Sequence, residues 1–194
     1  AQVSDKHQYD ALKNAGCDEI YAPVEVGGEI TVIPRTADYN YWNVLSEKPA
    51  LATNIGHIYA LSKLGIDIYG DFTLNVFNQY AISALEELSL KRIALSTELM
   101  LPQIKALSSI LPLEAVIYGR LPLMYTENCI VSACGECNKG GILTDRTGEK
   151  FPVRCAPGCR NEILNSKPIV MSDKMDDIIN SGISYGRLFF TIET

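Results

Sequence analysis

Short β-branched apolar runs alternate along this chain with segments whose apolar residues recur at helical spacing. Residues 1–4 are strand-like. In 5–14 Tyr9, Leu12 and Lys13 fall on helical spacing, and Gly16 closes the turn. Further strand-like runs occupy 19–23, 30–34, 50–54, 66–70, 92–96, 115–119 and 187–192, and helical segments are expected at 57–63, 79–88, 98–110 and 172–180.

Strands separated by helices require right-handed crossovers and a parallel sheet. A count of strands near eight predicts an α/β fold, a compact (β/α)-barrel of TIM-barrel type, more than an open doubly wound sheet. No Gly-x-Gly-x-x-Gly follows the first strand, which removes the usual dinucleotide argument for the open sheet. Residues 121–167 break the alternation, being rich in Gly, Pro and turn residues. They are expected to form an insertion on the barrel rim, with a hairpin pairing 141–144 and 150–154 around Asp145-Arg146-Thr147-Gly148. The whole chain, 1–194, is expected to be a single barrel domain.

Length changes this picture little: 194 residues can bury a full core without disulfide staples. Hydrophobic residues at 47% and charged residues at 21% are those of a globular protein, and no stretch approaches the roughly 20 apolar residues of a spanning helix. A net charge of −6 argues against a surface built wholly to bind a polyanion, though not against a local basic patch. The opening Ala1-Gln2-Val3-Ser4-Asp5 has no initiator Met, basic n-region or apolar h-region. The chain is therefore expected to be excised from a longer, cytoplasmic polypeptide, the remainder of which is its first partner.

Five of the six cysteines crowd into one window, spaced Cys129-x4-Cys134-x2-Cys137-x17-Cys155-x3-Cys159. Thiols this dense in a domain that needs no staples point to a metal or cluster, with disulfides as the competing reading. Cys134-x2-Cys137 puts two thiolates on one tight turn, and Cys129 with Cys159 or Cys155 supplies the rest of a four-thiolate set for zinc or a four-iron cluster. Cys17, after Gly16, is expected to be a small buried hydrophobe.

The stretch Tyr118-Gly119-Arg120-Leu121-Pro122-Leu123-Met124-Tyr125-Thr126-Glu127-Asn128-Cys129 resembles the collagenase-like peptidase family U32. Further blocks look like the same family in its order, among them 71–78, 95–99, 143–153 and 159–168. The resemblance implies a barrel-type domain, of the Gram-positive C-terminal kind, within a longer protein. It also implies relatives first classed as peptidases and others that act in RNA or ubiquinone hydroxylation with a 4Fe-4S cluster. Carried over block by block, the ligands would be Cys129, Cys134, Cys137 and Cys159, with zinc as the alternative metal. The x2 pair departs from the x3 of other members, so whether Cys155 replaces one ligand stays open.

Neither a Gly-x-Ser-x-Gly elbow nor a His-Glu-x-x-His helix is present, and an all-thiolate site leaves no position for water. The two histidines offer little: His7 reads as a solvated helix residue, and His57 as a capping or packing residue as readily as a rim base. Asn54, Asp71, Asn75, Asn78, Ser96, Glu98 and Arg120 fall at or just after strand C-termini, where barrels build sites, although Asn and Asp there also cap helices and turns. Glu98, Arg120 and Glu127 are the candidate catalytic residues. Asn54, Asp71, Asn75, Asn78, Ser96, Asp145 and Arg146 are the candidate substrate contacts, with Arg120, Glu127, Asp145 and Arg146 expected on the path to the cluster. The expected function is iron-sulfur-dependent hydroxylation of RNA or a similar ring, more than classical proteolysis. The alternatives are a genuine peptidase with groups outside this stretch, acting on peptides, and a non-catalytic metal-stabilised binding domain.

Overall fold

The computed structural model describes residues 1–36, 41–42, 45, 48–133 and 140–193. They form two compact units, Ala1–Ile117 with Met171–Thr194, and Tyr118–Val170. In the first unit the chain runs α1 (Lys6–Asn14), β1 (Tyr21–Ala22), β2 (Ile30–Val32), β3 (Ala50–Ala52), α2 (Ile55–Leu64), β4 (Ile68–Gly70), α3 (Gln79–Glu86), β5 (Arg92–Ala94), α4 (Leu101–Lys105) and β6 (Leu113–Gly119), whose last two residues enter the second unit. The second unit holds β7 (Pro122–Thr126), α5 (Ile130–Ala133), β8 (Gly141–Thr144), β9 (Lys150–Ala156), β10 (Arg160–Leu164) and β11 (Ile169–Val170). The chain then returns to the first unit as α6 (Met175–Ile179) and β12 (Tyr185–Phe189).

Strands β1 to β6 pair in chain order, each parallel to the next, and curl into a half-barrel, with β12 beside β6. The expected compact (β/α)-barrel is not formed. Eight β/α units need a covering helix at each crossover. Here β1 and β2 are joined by the turn-rich 23–29, the six α-helices among the described residues are short, and residues 1–4 contribute one-residue bridges from Gln2 to Tyr21 and Phe189. Alongside the parallel strands are antiparallel ones, β11 against the end of β6 and a separate four-stranded sheet, so the fold is a mixture of sheets with an α/β-like part.

Directly opposed residues share a sheet face. The register thus puts Tyr21, Ile30, Val32, Leu51, Tyr69, Arg92, Ala94 and Glu114 on one face. The other face carries Ala50, Ala52, Ile68, Ile93 and Leu113, which pack with Ile58 and Leu61 of α2 and Ile82 and Leu85 of α3 in the main apolar core. Caps fix the helix starts: Asn54 Oδ1 accepts from His57 N at 3.0 Å, and Asn78 Oδ1 from Ala81 N at 2.9 Å. Gly65 ends α2 in the left-handed region at φ 68°.

In the second unit the antiparallel sheet has the order β7-β10-β9-β8. The hairpin of β8 and β9 forms as its sequence implied, with Asp145 Oδ1 accepting from Thr147 N, Thr147 Oγ1 and Glu149 N at 2.8, 2.8 and 3.0 Å. Val153 and Ile163 sit opposite each other and pack with Val131 of α5 as this unit's core. Gly140 enters β8 at φ 67°, where a Cβ would stand 2.8 Å from the Val153 carbonyl oxygen, so only glycine fits. No helix among the described residues is long and apolar enough to cross a membrane.

Candidate functional site

Most of the polar residues expected on the strand ends of the first unit make hydrogen bonds within the fold. Asn54 and Asn78 are the caps just described. Asn75 takes a left-handed φ of 53° after the short 3-10 turn at Phe72–Leu74, and its Oδ1 accepts from Ser96 Oγ at 2.7 Å. Ser96 Oγ also accepts from Glu98 N at 3.3 Å, and the Glu98 side chain is exposed. His57 is buried beneath the Trp42 ring, with Thr53 Oγ1 3.1 Å from Nδ1 and Asn54 Nδ2 3.0 Å from Nε2. Burial lowers its pKa, so the ring is neutral at pH 7. Because Asn78 is an exposed cap on a short helix, Asn78→Ala is expected to cost about 1 kcal/mol in chemical unfolding, and Asn78→Asp to recover most of it.

A buried charged constellation lies on the curled face and was not anticipated. Glu114 occupies its centre: Oε1 accepts from Arg187 Nε, while Oε2 accepts from Tyr21 Oη at 2.5 Å and from Arg92 Nη1 at 3.3 Å. Arg92 Nη1 also donates to Tyr21 Oη at 2.8 Å, and its Nη2 pairs with Glu19 Oε2 at 2.7 Å. Arg187 Nη1 donates to Asp71 Oδ1 and, at 3.0 Å, to Gln2 Oε1. Aromatic rings line the cations, with the Arg92 guanidinium 3.3 Å from the Tyr185 centroid and Arg187 4.5 Å from that of Tyr21.

Burial alone would raise the Glu114 pKa, but Arg187 and the hydrogen bonds from Arg187 and Tyr21 outweigh it and hold the carboxyl below its usual range. Burial and the neighbouring Glu114 drive the Tyr21 phenol far upward, so it stays a neutral donor. Asp71 was expected as a substrate contact. Its Oδ2 accepts from Thr73 Oγ1 at 2.8 Å, and its Oδ1 is ion-paired with Arg187. The sequence signal for this constellation is a charge at or just before the start of a strand run, Arg92 of 92–96, Glu114 ahead of 115–119 and Arg187 of 187–192, at positions where apolar residues are usual.

In the second unit Arg120 Nη1 donates to the carbonyl oxygens of Asn165 and Ser166, and Glu127 Oε2 accepts from Arg160 Nε at 2.8 Å. Asp145 is taken up by its turn, and Arg146 is exposed on it. Of the thiols, Cys129, Cys155 and Cys159 are described and none of them is in a disulfide. Cys134 and Cys137 lie outside the described residues. Cys129 Sγ accepts from Ser132 N at 3.2 Å at the start of α5. Cys155 opposes Asn161 across β9 and β10, and Asn161 Nδ2 lies 3.9 Å from its sulfur. Fully buried, Asn161 turns its Oδ1 to the amides of Ile130 at 2.7 Å and Val131 at 3.4 Å. One side chain thereby ties the segment after Cys129 to the strand carrying Cys155. Cys159 is exposed on the β9–β10 turn at φ 61°. Among the described residues no group of three or more His, Cys, Asp or Glu side chains is arranged to hold a metal ion.

The sequence model of Peptidase family U32 matches residues 51–188, more than half of the chain. No curated protein and no solved structure matches.

Proposed function

The chain belongs to peptidase family U32, and from that premise we propose that its chemistry is carried by a thiolate-bound centre in the second unit, not by a hydrolytic side-chain array. The observation that carries this reading is Asn161, which binds the amides after Cys129 while its Nδ2 approaches the Cys155 sulfur. The donor set suits a soft metal: closely spaced cysteine sulfurs, one of them, Cys129, taking the backbone N–H of Ser132, are the ligand type that such ions select. Cys129, Cys134, Cys137 and Cys159 would hold the group, and the Asn161 contact adds Cys155 as a competitor for the fourth place. A 4Fe-4S cluster supplies one-electron chemistry when bound, which fits modification of RNA or a similar ring, and zinc would supply structure alone. Thiols persist reduced in the cytoplasm, the compartment this reading needs.

Hydrolysis is the second reading, and it rests on the family's own name. Against it stand the capped and buried His57, the ion-paired Asp71 and Glu127, and the carbonyl-bound Arg120. Anaerobic purification with iron, zinc and acid-labile sulfide assays separates the outcomes. About four irons and four sulfides per chain, lost in Cys137→Ser, are expected. A stoichiometric zinc would move the reading to a metal-stabilised binding domain, and gelatin cleavage by metal-free protein would restore the peptidase.

A further inference from the structure

Strand β8 ends the sheet order β7-β10-β9-β8, and every one of its residues, Gly141–Thr144, is exposed. At the mouth of the hairpin the Asp145 N–H donates to the Glu149 carbonyl at 3.0 Å, which sets the phase of the ladder. Hydrogen-bonded and open pairs alternate from there: Leu143 with Phe151 and Gly141 with Val153 are bonded, whereas Thr144 with Lys150 and Ile142 with Pro152 are open. Pro152 has no N–H, which agrees with that phase. The backbone N–H and C=O groups of Ile142 and Thr144 therefore point away from β9, along the free edge. Free edges are normally blunted by a charge, a proline or a bulge. Residues 140–144 read Gly-Gly-Ile-Leu-Thr, and β8 pairs with β9 in unbroken register, so this edge has none of the three.

We infer that this edge docks a second copy of the chain, β8 against β8, antiparallel about a two-fold axis at Leu143. In that register Ile142 of each copy faces Thr144 of the other, and the outward N–H and C=O groups of both are satisfied at once. Leu143 meets Leu143 of the second copy in an open pair, where opposed side chains stand closest. It lies on the same face as Gly141, Phe151 and Val153, the face that carries the unit's core. A Cβ on Gly141 would stand 3.7 Å from Val131 Cγ2, so α5 covers that end of the strand, while Leu143 is left 46% exposed. The second Leu143 continues the small core of Val131, Val153 and Ile163 across the axis, and small units gain most from such an extension. Charge does not oppose the pairing, because Asp145 faces Gly141 of the second copy and Arg146 faces Gly140. An unlike peptide would need pockets for its alternate side chains, which a strand exposed throughout does not offer. Two short strands make an interface at the weak end of the size range, so the dimer forms and dissociates with concentration.

Amide hydrogen exchange on the unaltered protein reads the register directly. For a dissociation constant of about 0.1 mM, exchange at Ile142 and Thr144 is expected to slow about fourfold between roughly 10 µM and roughly 1 mM protein, while Leu143, bonded to β9, is equally slow at both. Sedimentation equilibrium over the same range is expected to show monomer passing to dimer. Leu143→Lys sets like charges together on the axis, and Thr144→Pro removes an outward N–H that β9 does not use. Each is expected to hold the protein monomeric at about 1 mM. Leu123→Lys, at a 56% exposed leucine on β7 at the other end of the sheet, is expected to dimerise as the unaltered protein does. The inference is overturned if the unaltered protein is monomeric at about 1 mM, if Ile142 and Thr144 exchange no more slowly there, or if Leu143→Lys and Thr144→Pro dimerise undiminished. Dimerisation lost in Leu123→Lys alone would overturn it too, by moving the interface to β7. The exchange comparison decides the matter independently of how the variants fold, and none of these outcomes depends on the thiolate centre.

Discussion

Arg187→Leu is expected to destabilise the first unit by about 3–5 kcal/mol, the largest loss from any single substitution there. The Arg187 side chain is fully buried and neutralises two carboxylates at once, Glu114 through Nε and Asp71 through Nη1. Leucine would leave Asp71 without its cation and Glu114 with Arg92 alone, in a place where water cannot replace the missing donors. Urea unfolding followed by the fluorescence of the chain's one tryptophan, Trp42, reads this directly, because Trp42 packs on His57 within the same unit. A loss below about 1 kcal/mol would mean that the network is solvated and relaxes freely. The same network sets an acid limit. Glu114 is held below its unfolded pKa, so its contribution is fully present above that value, near 4.5, and is lost as pH falls through the lower folded value. Glu114→Gln should abolish that part of the acid dependence while lowering stability at pH 7, because Arg187 and Arg92 then lose their central anion.

The parallel strands were legible because their apolar runs are short, β-branched and separated by helical spacing, and 30–34, 50–54 and 92–96 each contain an observed strand. Closure into a (β/α)-barrel was not legible, because the same alternation is produced by a half-barrel whose β1–β2 link is a turn. What separates the two is the length and composition of each crossover, and Pro23, Gly27 and Gly28 already speak against a helix there. The strand-end Asn and Asp residues are ambiguous in sequence for a related reason. A cap and a substrate contact call for the same side chain at the same position, and only the amide they bind tells them apart. Glu114 and Arg92 went unread because each looks like a surface charge until the register puts it on the curled face, and Arg187 until its ion pairs with Glu114 and Asp71 are seen.

Asn161→Ala is expected to be the most damaging substitution in the second unit, costing about 1–3 kcal/mol and, on the proposed reading, most of the bound metal. The Asn161 side chain is the acceptor that Ile130 N and Val131 N reach at the start of α5, where no earlier turn of helix can serve them. Alanine leaves those two amides without an acceptor beside the small core of Val131, Val153 and Ile163. It also removes the side chain whose polar contacts join the segment after Cys129 to the Cys155 strand. Asn161→Asp separates the two roles: it keeps the acceptor oxygen for the Ile130 and Val131 amides but replaces the amide donor near the Cys155 sulfur with a negative oxygen. Hydrogen exchange at Ile130 and Val131 should therefore rise in Asn161→Ala and stay slow in Asn161→Asp, while metal content falls in both. Unchanged metal in Asn161→Asp would remove Cys155 from the ligand set and return the fourth place to Cys159. Unchanged metal in both variants would mean that Asn161 serves the fold alone.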